Sequence, residues 1–373
     1  MSSILDVLDK MTIEGHLYEK LPDNAVRCTA CGHRCLIREG KRGICQVRYN
    51  NEGTLMVPWG YVAALQADPV EKKPFFHFLP GSDALTFGML GCDFHCSYCQ
   101  NWVTSQAGRN KDSDISLQYA RKTSPDQLVE YAVRAGAKVV VSSYNEPLIT
   151  SEWAVDVFRL ANKAGMKCGF VSNGNMTPQA IEFLRPYIVG YKIDLKTMQD
   201  KHYRQLGGVL KNVLEGIQLA HKLGLWVEVV TLVIPGFNDS TEELMEAARF
   251  IYSVSPDIPW HVTAFHPDYK MTDPSATTSK TLLRAAEIGQ EAGLNYVYAG
   301  NLPGHVNEYE NTYCPQCSTK VIERYGYTIL DYQITALGTC PKCGTNIPGI
   351  WTSEPETVRL MGPGMPRMVS RIR

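Results

Sequence analysis

Three cysteines fall within eight residues of the segment GCDFHCSYCQNW (91–102): Cys92, Cys96 and Cys99, spaced C-x3-C-x2-C. Thiolates are ligands for soft and borderline metals, and a closed tetrahedral ion takes four ligands. Three therefore leave a choice. Either a neighbouring side chain completes a zinc site, with His95 the residue at hand, or the thiolates hold three irons of a 4Fe–4S cube. In the second case one iron stays open to a bidentate small molecule.

Eight more of the twelve cysteines form two quartets. Cys28, Cys31, Cys35 and Cys45 are spaced C-x2-C-x3-C-x9-C, compatible with zinc or with an auxiliary 4Fe–4S cluster. Cys314, Cys317, Cys340 and Cys343 form two CxxC knuckles separated by 22 residues, a zinc-ribbon or rubredoxin-like pattern for one tetrahedral zinc or iron. Cys168 stands apart at the start of an apolar run and reads as a buried, inert thiol.

The composition suits metal sites better than disulfides. The first residues, MSSILDVLDKMTIEGHLYEK, carry Asp6, Asp9 and Glu14 and have no signal-peptide pattern, so a cytoplasmic location is expected, where clustered cysteines bind metal. No segment reaches the roughly 18 apolar residues that cross a bilayer. A formal net charge of −1 gives no electrostatic reason to expect nucleic acid or a membrane surface as partner; the cluster Arg38, Lys41, Arg42 reads as a solvated loop. With 373 residues, 44% hydrophobic and 20% charged, the chain is an ordinary globular one with ample length for a core.

The elements that must position these residues alternate from about 84 to 300. Short apolar runs (84–90, 137–143, 167–172, 189–195, 225–234, 260–265, 295–300) read as buried strands. The stretches 125–136, 151–165, 178–187, 210–224, 241–254 and 279–293 have helical spacing, the first with Thr123 or Ser124 as cap and Pro125 at its first position. Right-handed βαβ units and a parallel sheet follow. The fold class is α/β: a partial (β/α)6-7 TIM-like barrel, or failing that a doubly wound sheet, with small cysteine-rich metal-binding segments at both ends. The expected divisions are 1–80, 81–300 and 301–373. In either fold chemistry gathers beyond the carboxyl ends of the strands. The loops there, which include YNEP, SNGNMTP, DLK and HPDYK, put Glu146, Asn173, Asp194, Lys196 and His266 on the same face as the triplet.

With an aromatic, Tyr98, before its last cysteine and a partial barrel behind it, the triplet resembles that of the radical S-adenosylmethionine superfamily. The resemblance implies a 4Fe–4S cluster on Cys92, Cys96 and Cys99 whose open iron is chelated by S-adenosylmethionine, and a flavodoxin- or ferredoxin-like electron donor. It implies that Glu146, in the place of the family's Gly-Gly-Glu segment, binds the methionine ammonium. Asn173 and Gly174 fall at the ribose-binding strand end, Asp194 and Lys196 at the next, and His266 near the cofactor. The alternatives are a plain turn for Asn173–Gly174, a solvent ion pair for Asp194 and Lys196, and a capping or core histidine for His266. CQNW, DLKTMQDKHYRQLGG and VIPGFND resemble the glycyl-radical-enzyme activases, although Val171 and Ser172 depart from the cation-positioning pattern of that group. GICQVR, YAGNLPG, NTYCPQC, ERYGY and IPGIW, with both quartets, resemble the radical enzyme of the AmmeMemoRadiSam system. That implies Memo-like and AMMECR-like partner proteins. A non-enzymatic zinc-binding interaction module is the third reading.

Overall fold

The computed structural model describes residues 4–110, 115 and 117–362. Its centre is one eight-stranded sheet with seven parallel strands: β1 (Asp83–Gly88), β2 (Val139–Ser142), β3 (Lys167–Ser172), β4 (Gly190–Asp194), β5 (Trp226–Val233), β6 (Trp260–Ala264) and β7 (Val297–Gly300). Both faces of these strands are covered: every residue of β1 and β2 is buried, which is why they read as unbroken apolar runs. The longer helices between them are α1 (Pro125–Arg134), α2 (Ser151–Lys163), α3 (Pro178–Leu184), α4 (Leu210–Lys222), α5 (Thr241–Val254) and α6 (Ser279–Glu291). Ser124, not Thr123, caps α1, in a capping box with Gln127.

The strands lie side by side in chain order, β1 to β7, with no reversal. A doubly wound sheet requires such a reversal, so the barrel-type winding holds. An eighth, antiparallel strand (Ala64–Pro69) pairs outside β1, Ala64 opposite Gly88 and Pro69 opposite Asp83. The sheet stays open between this strand and β7.

The C-terminal segment covers the opening. Its three-stranded sheet (Thr312–Tyr313, Lys320–Tyr325, Thr328–Tyr332) buries Val321, Ile322 and Ile329 against Phe76, Tyr296 and Tyr298. Arg324 is buried there, donating to Phe76 O (2.8 Å) and Thr312 Oγ1 (2.7 Å) with its guanidinium over the Phe76 ring. The N-terminal segment forms two small antiparallel sheets. It is fastened by a buried ion pair between Arg48 and Glu152, and Glu152 also accepts from the backbone of His16 and Leu17. Among the described residues no helix is long and apolar enough to cross a membrane.

Candidate functional site

The cysteine triplet leaves the carboxyl end of β1 through Gly91, whose φ of +95° and close approach to Val47 and the Cys45 carbonyl admit no side chain. The loop is held on two sides. His95 N donates to Leu206 O (2.9 Å), and Lys270 N in the loop after β6 donates to Ser97 O (2.9 Å). The Trp102 ring stacks on Tyr269 at 5.2 Å. The Phe94 backbone N–H lies 3.3 Å from Cys92 Sγ, and Ser105 Oγ lies 3.2 Å from Cys99 Sγ. His95 is exposed and its ring packs over Gly207.

A cavity of about 360 Å³ opens beside the triplet. Cys96, Tyr98, Cys99, Asp194 and Lys196 all line it, so five of the sequence-predicted residues meet at one wall. That volume is within the usual small-molecule range. A larger cavity of about 580 Å³ lies at the amino ends of β4 and β5 around Val189 and Trp226, away from all the thiols. Asp194 is gripped by Lys192 and by Lys196 (3.3 Å). Burial opposes its charge, but the two ammonium groups hold its carboxyl below the usual range. The pair faces the cavity, with the Asp194 side chain still 32% exposed.

Glu146, Asn173 and Gly174 lie behind this wall, around a residue that the sequence did not single out. Asp93 is fully buried and accepts from Asn173 Nδ2 (2.7 Å) and Asn175 Nδ2 (2.8 Å). Glu146 accepts from Ser172 Oγ (2.7 Å), Asn173 N (2.8 Å) and Leu148 N (3.0 Å), and burial together with Asp93 pushes its carboxyl up to about 8. Gly174 has φ +75°, and the loop that it bends aims the Asn173 amide at Asp93. His266 is an exposed residue on the rim, 2.8 Å from the Gln100 side chain next to Cys99, neither capping nor core. Tyr144 adopts φ +68°, a glycine-like conformation, where the resemblance placed a glycine.

Asp93 also marks where the N-terminal quartet approaches. His33 Nε2, between Cys31 and Cys35, is 3.9 Å from Asp93 Oδ2, and Gly32 N donates to Asn175 O (2.8 Å). Arg48 Nη1 lies 3.8 Å from Cys28 Sγ. Tyr144 also lines the cavity, as do Lys72, Lys73, Lys192 and Tyr327, which the sequence did not single out. Lys192 alone carried a signal: two positions before Asp194 on one strand, it shares that residue's face.

The C-terminal quartet has the geometry of a single-ion site. Cys314 Sγ and Cys343 Sγ are 3.5 Å apart, Cys317 Sγ and Cys340 Sγ 3.7 Å. Four sulfurs at about 2.3 Å from a tetrahedral zinc stand about 3.8 Å apart. Thr319 and Thr345 occupy matching places beside Cys317 and Cys343, and the hydrogen bond at Thr319 brings the Cys317 thiol down to about 6. Among the described residues this is the one group of three or more Cys, His, Asp or Glu side chains whose ligand atoms all lie within 4.8 Å. In the triplet and in the N-terminal quartet at least one sulfur pair is wider than that. Cys168 is fully buried in β3.

Compared with known proteins, residues 87–250 match the family model described as the radical SAM superfamily. The uncharacterized protein MJ0808 of Methanocaldococcus jannaschii is 38% identical over 340 residues, covering 90% of this chain and 98% of its own. The chain belongs to the radical SAM superfamily. The isethionate sulfite-lyase activating enzyme of Oleidesulfovibrio alaskensis is 29% identical over 194 residues, 48% of this chain and 59% of that enzyme. A solved domain of pyruvate-formate lyase-activating enzyme from Bacteroides vulgatus superposes with TM-score 0.38 at 19% identity, over 43% of this chain and 98% of that domain.

Membership of this superfamily makes the chain an enzyme and implies a 4Fe–4S cluster with S-adenosylmethionine. The donor set fits. Burial raises all three triplet thiols, Cys92 far up with Asp93 and Glu146 adding to it, and Cys96 to about 12. Burial and the neighbouring carboxylates disfavour bare thiolates there, and a bound cationic cluster would supply the balancing charge.

Proposed function

We propose that Cys92, Cys96 and Cys99 hold the 4Fe–4S cluster, that S-adenosylmethionine occupies the adjoining cavity, and that the enzyme initiates radical chemistry on a small or protein-bound substrate. When bound and reduced by a flavodoxin- or ferredoxin-like donor, this pair supplies a 5′-deoxyadenosyl radical and methionine by one-electron cleavage of the sulfonium, and the radical then takes a hydrogen from the substrate or adds to it. The observation that carries this reading is the meeting of Cys96 and Cys99 with Tyr98, Asp194 and Lys196 on one cavity at the carboxyl ends of parallel strands.

The chain's own residues bind and exclude water. Lys196, ion-paired to Asp194, offers an ammonium for a carboxylate. Glu146 offers a carboxylate that an approaching ammonium would keep ionised. Asp93 holds Asn173 and Asn175 in place behind it. Buried Tyr98, edge-on to Phe237 at 6.0 Å, closes the wall against solvent. Reduction of the anaerobically reconstituted protein with S-adenosylmethionine should yield 5′-deoxyadenosine. Cys96→Ala should abolish it, and persistent formation in that variant would sink the proposal.

The motifs that resemble the AmmeMemoRadiSam enzyme support work alongside Memo-like and AMMECR-like proteins; co-purification of the three from one host checks this. A glycyl-radical-enzyme activase is the second reading, favoured by the likeness to the isethionate sulfite-lyase activating enzyme; its sign is a glycyl radical signal on a partner enzyme. Zinc at the C-terminal quartet and either zinc or a further 4Fe–4S cluster at the N-terminal one are part of the proposal. Twelve cysteines, none in a disulfide, suit a reducing cytoplasm.

A further inference from the structure

The cavity beside the triplet holds more positive charge than its carboxylates balance. Two lysine–aspartate–lysine triads surround it. Asp68, fully buried, lies between Lys72 Nζ (3.2 Å) and Lys73 Nζ (2.6 Å). Asp194 lies between Lys192 and Lys196. All four lysines line the cavity, with side-chain exposures of 26% for Lys72, 4% for Lys73, 6% for Lys192 and 15% for Lys196. Each carboxylate offsets one ammonium, so each triad has one positive charge to spare. Uncompensated ammonium groups in a sheltered site are costly unless a partner anion completes them.

The expected cofactors leave that surplus in place. A cluster core with two positive charges on three thiolates is a net monoanion. S-adenosylmethionine, with its ammonium, sulfonium and carboxylate, is a net monocation. The two cancel. Neutral hydrogen-bonding groups border the lysines at the end served by the antiparallel strand. Tyr144 Oη is 3.1 Å from Lys73 Nζ, and Tyr327, delivered by the C-terminal hairpin, stands close enough to Asp68 for that charge to raise its hydroxyl pKa further after burial.

We propose that the substrate of this cavity carries a doubly negative group, a phosphate monoester or a closely spaced dicarboxylate, seated among Lys72, Lys73 and Lys192. Two surplus charges match a dianion, and lysine ammonium groups suit phosphate as point charges. The inference rests on the cavity being the active site, as proposed above, and names the substrate class.

The test is calorimetric titration of the anaerobically purified full-length protein, without reconstitution, with inorganic phosphate and separately with malonate, against chloride at equal ionic strength. One equivalent of phosphate or malonate should bind saturably where chloride does not. Lys73→Met should weaken binding at least tenfold, the loss of one charge-assisted hydrogen bond. That variant strands Asp68 and can unfold, so Lys72→Gln, which leaves the Lys73–Asp68 pair intact, is the parallel probe and should weaken binding about tenfold. Phosphate binding alone assigns a phosphate ester, malonate alone a dicarboxylate, and both leave the dianion class standing. Anion binding no tighter than chloride, or binding unchanged in folded Lys72→Gln, overturns the proposal. Neither S-adenosylmethionine nor reductant enters the experiment. If no deoxyadenosine forms while phosphate still binds, the radical reading falls and the anion site does not.

Discussion

Glu152→Gln should cost the fold more than Arg48→Met, although the two residues are partners in one ion pair. Both side chains are buried, at 1% exposure for Arg48 and 2% for Glu152. In Glu152→Gln the amide oxygen can still accept from His16 N and Leu17 N, so the change isolates the charge. It strands a guanidinium whose other contacts are Ile149 O (2.7 Å) and the Cys28 sulfur. A guanidinium cannot shed its proton. Breaking a buried pair in this way costs about 3–5 kcal/mol. In Arg48→Met the abandoned carboxyl can take up a proton and keep its two backbone partners, so the loss should be smaller, about 1–3 kcal/mol. The double variant should be no worse than Glu152→Gln alone, because it strands no cation. Urea unfolding, followed by fluorescence with the slope checked for constancy, reads all three; a loss of several kcal/mol moves the midpoint by about 1 M. Equal or additive single-variant losses, or a larger one for Arg48→Met, would refute the reasoning. Arg48 also stands beside Cys28, so Arg48→Met should lower the metal content proposed for the N-terminal quartet.

Glu71 is buried with Oε2 lacking a hydrogen-bond partner, and burial pushes its carboxyl up to about 7. A raised carboxyl contributes stability below its unfolded value and loses it as pH climbs through 7. Glu71→Gln should therefore be nearly neutral at pH 4 and stabilising by up to about 3 kcal/mol at pH 8, a difference that stability curves at the two pH values would show. Gly174→Ala should destabilise by about 2–4 kcal/mol, because its Cβ would lie 2.5 Å from Ile193 Cγ2 at φ +75°; an unchanged denaturation midpoint would contradict that contact. Cys340→Ala should remove one metal equivalent and open residues 310–350 to limited proteolysis, since Cys314 and Cys340 are part of the apolar cluster that seats this segment on Phe76 and Tyr298. Full metal retention would remove the quartet from the account.

The barrel was legible because its strands are covered on both faces and four of its helices start at a Ser or Thr cap (Ser124, Thr177, Ser240 and Thr278). β6, expected at 260–265, is Trp260–Ala264, and α5, expected at 241–254, is Thr241–Val254. The antiparallel strand Ala64–Pro69 was not, since ALQADP has neither an unbroken apolar run nor clean alternation. The triplet was legible for the same reason that any ligand set is: its members are near in sequence. Asp93 was not, because its partners Asn173 and Asn175 lie about 80 residues away and a lone aspartate has no pattern. Lys73, Lys192 and Tyr327 meet only once the sheet curls and the C-terminal hairpin folds over its opening. Glu146 shows a mixed case: the residue was named from the sequence, but its partners Ser172, Asn173 and Leu148 come together only in the fold.

The most direct measurement of the central claim is the electron paramagnetic resonance spectrum of the reduced protein with and without S-adenosylmethionine. An open iron on the Cys92–Cys96–Cys99 cluster predicts a reduced-cluster signal that shifts when S-adenosylmethionine is added. It also predicts loss of that shifting signal when the three cysteines are replaced by alanine. A spectrum that S-adenosylmethionine leaves unchanged, or one that survives the triple replacement intact, would contradict the account.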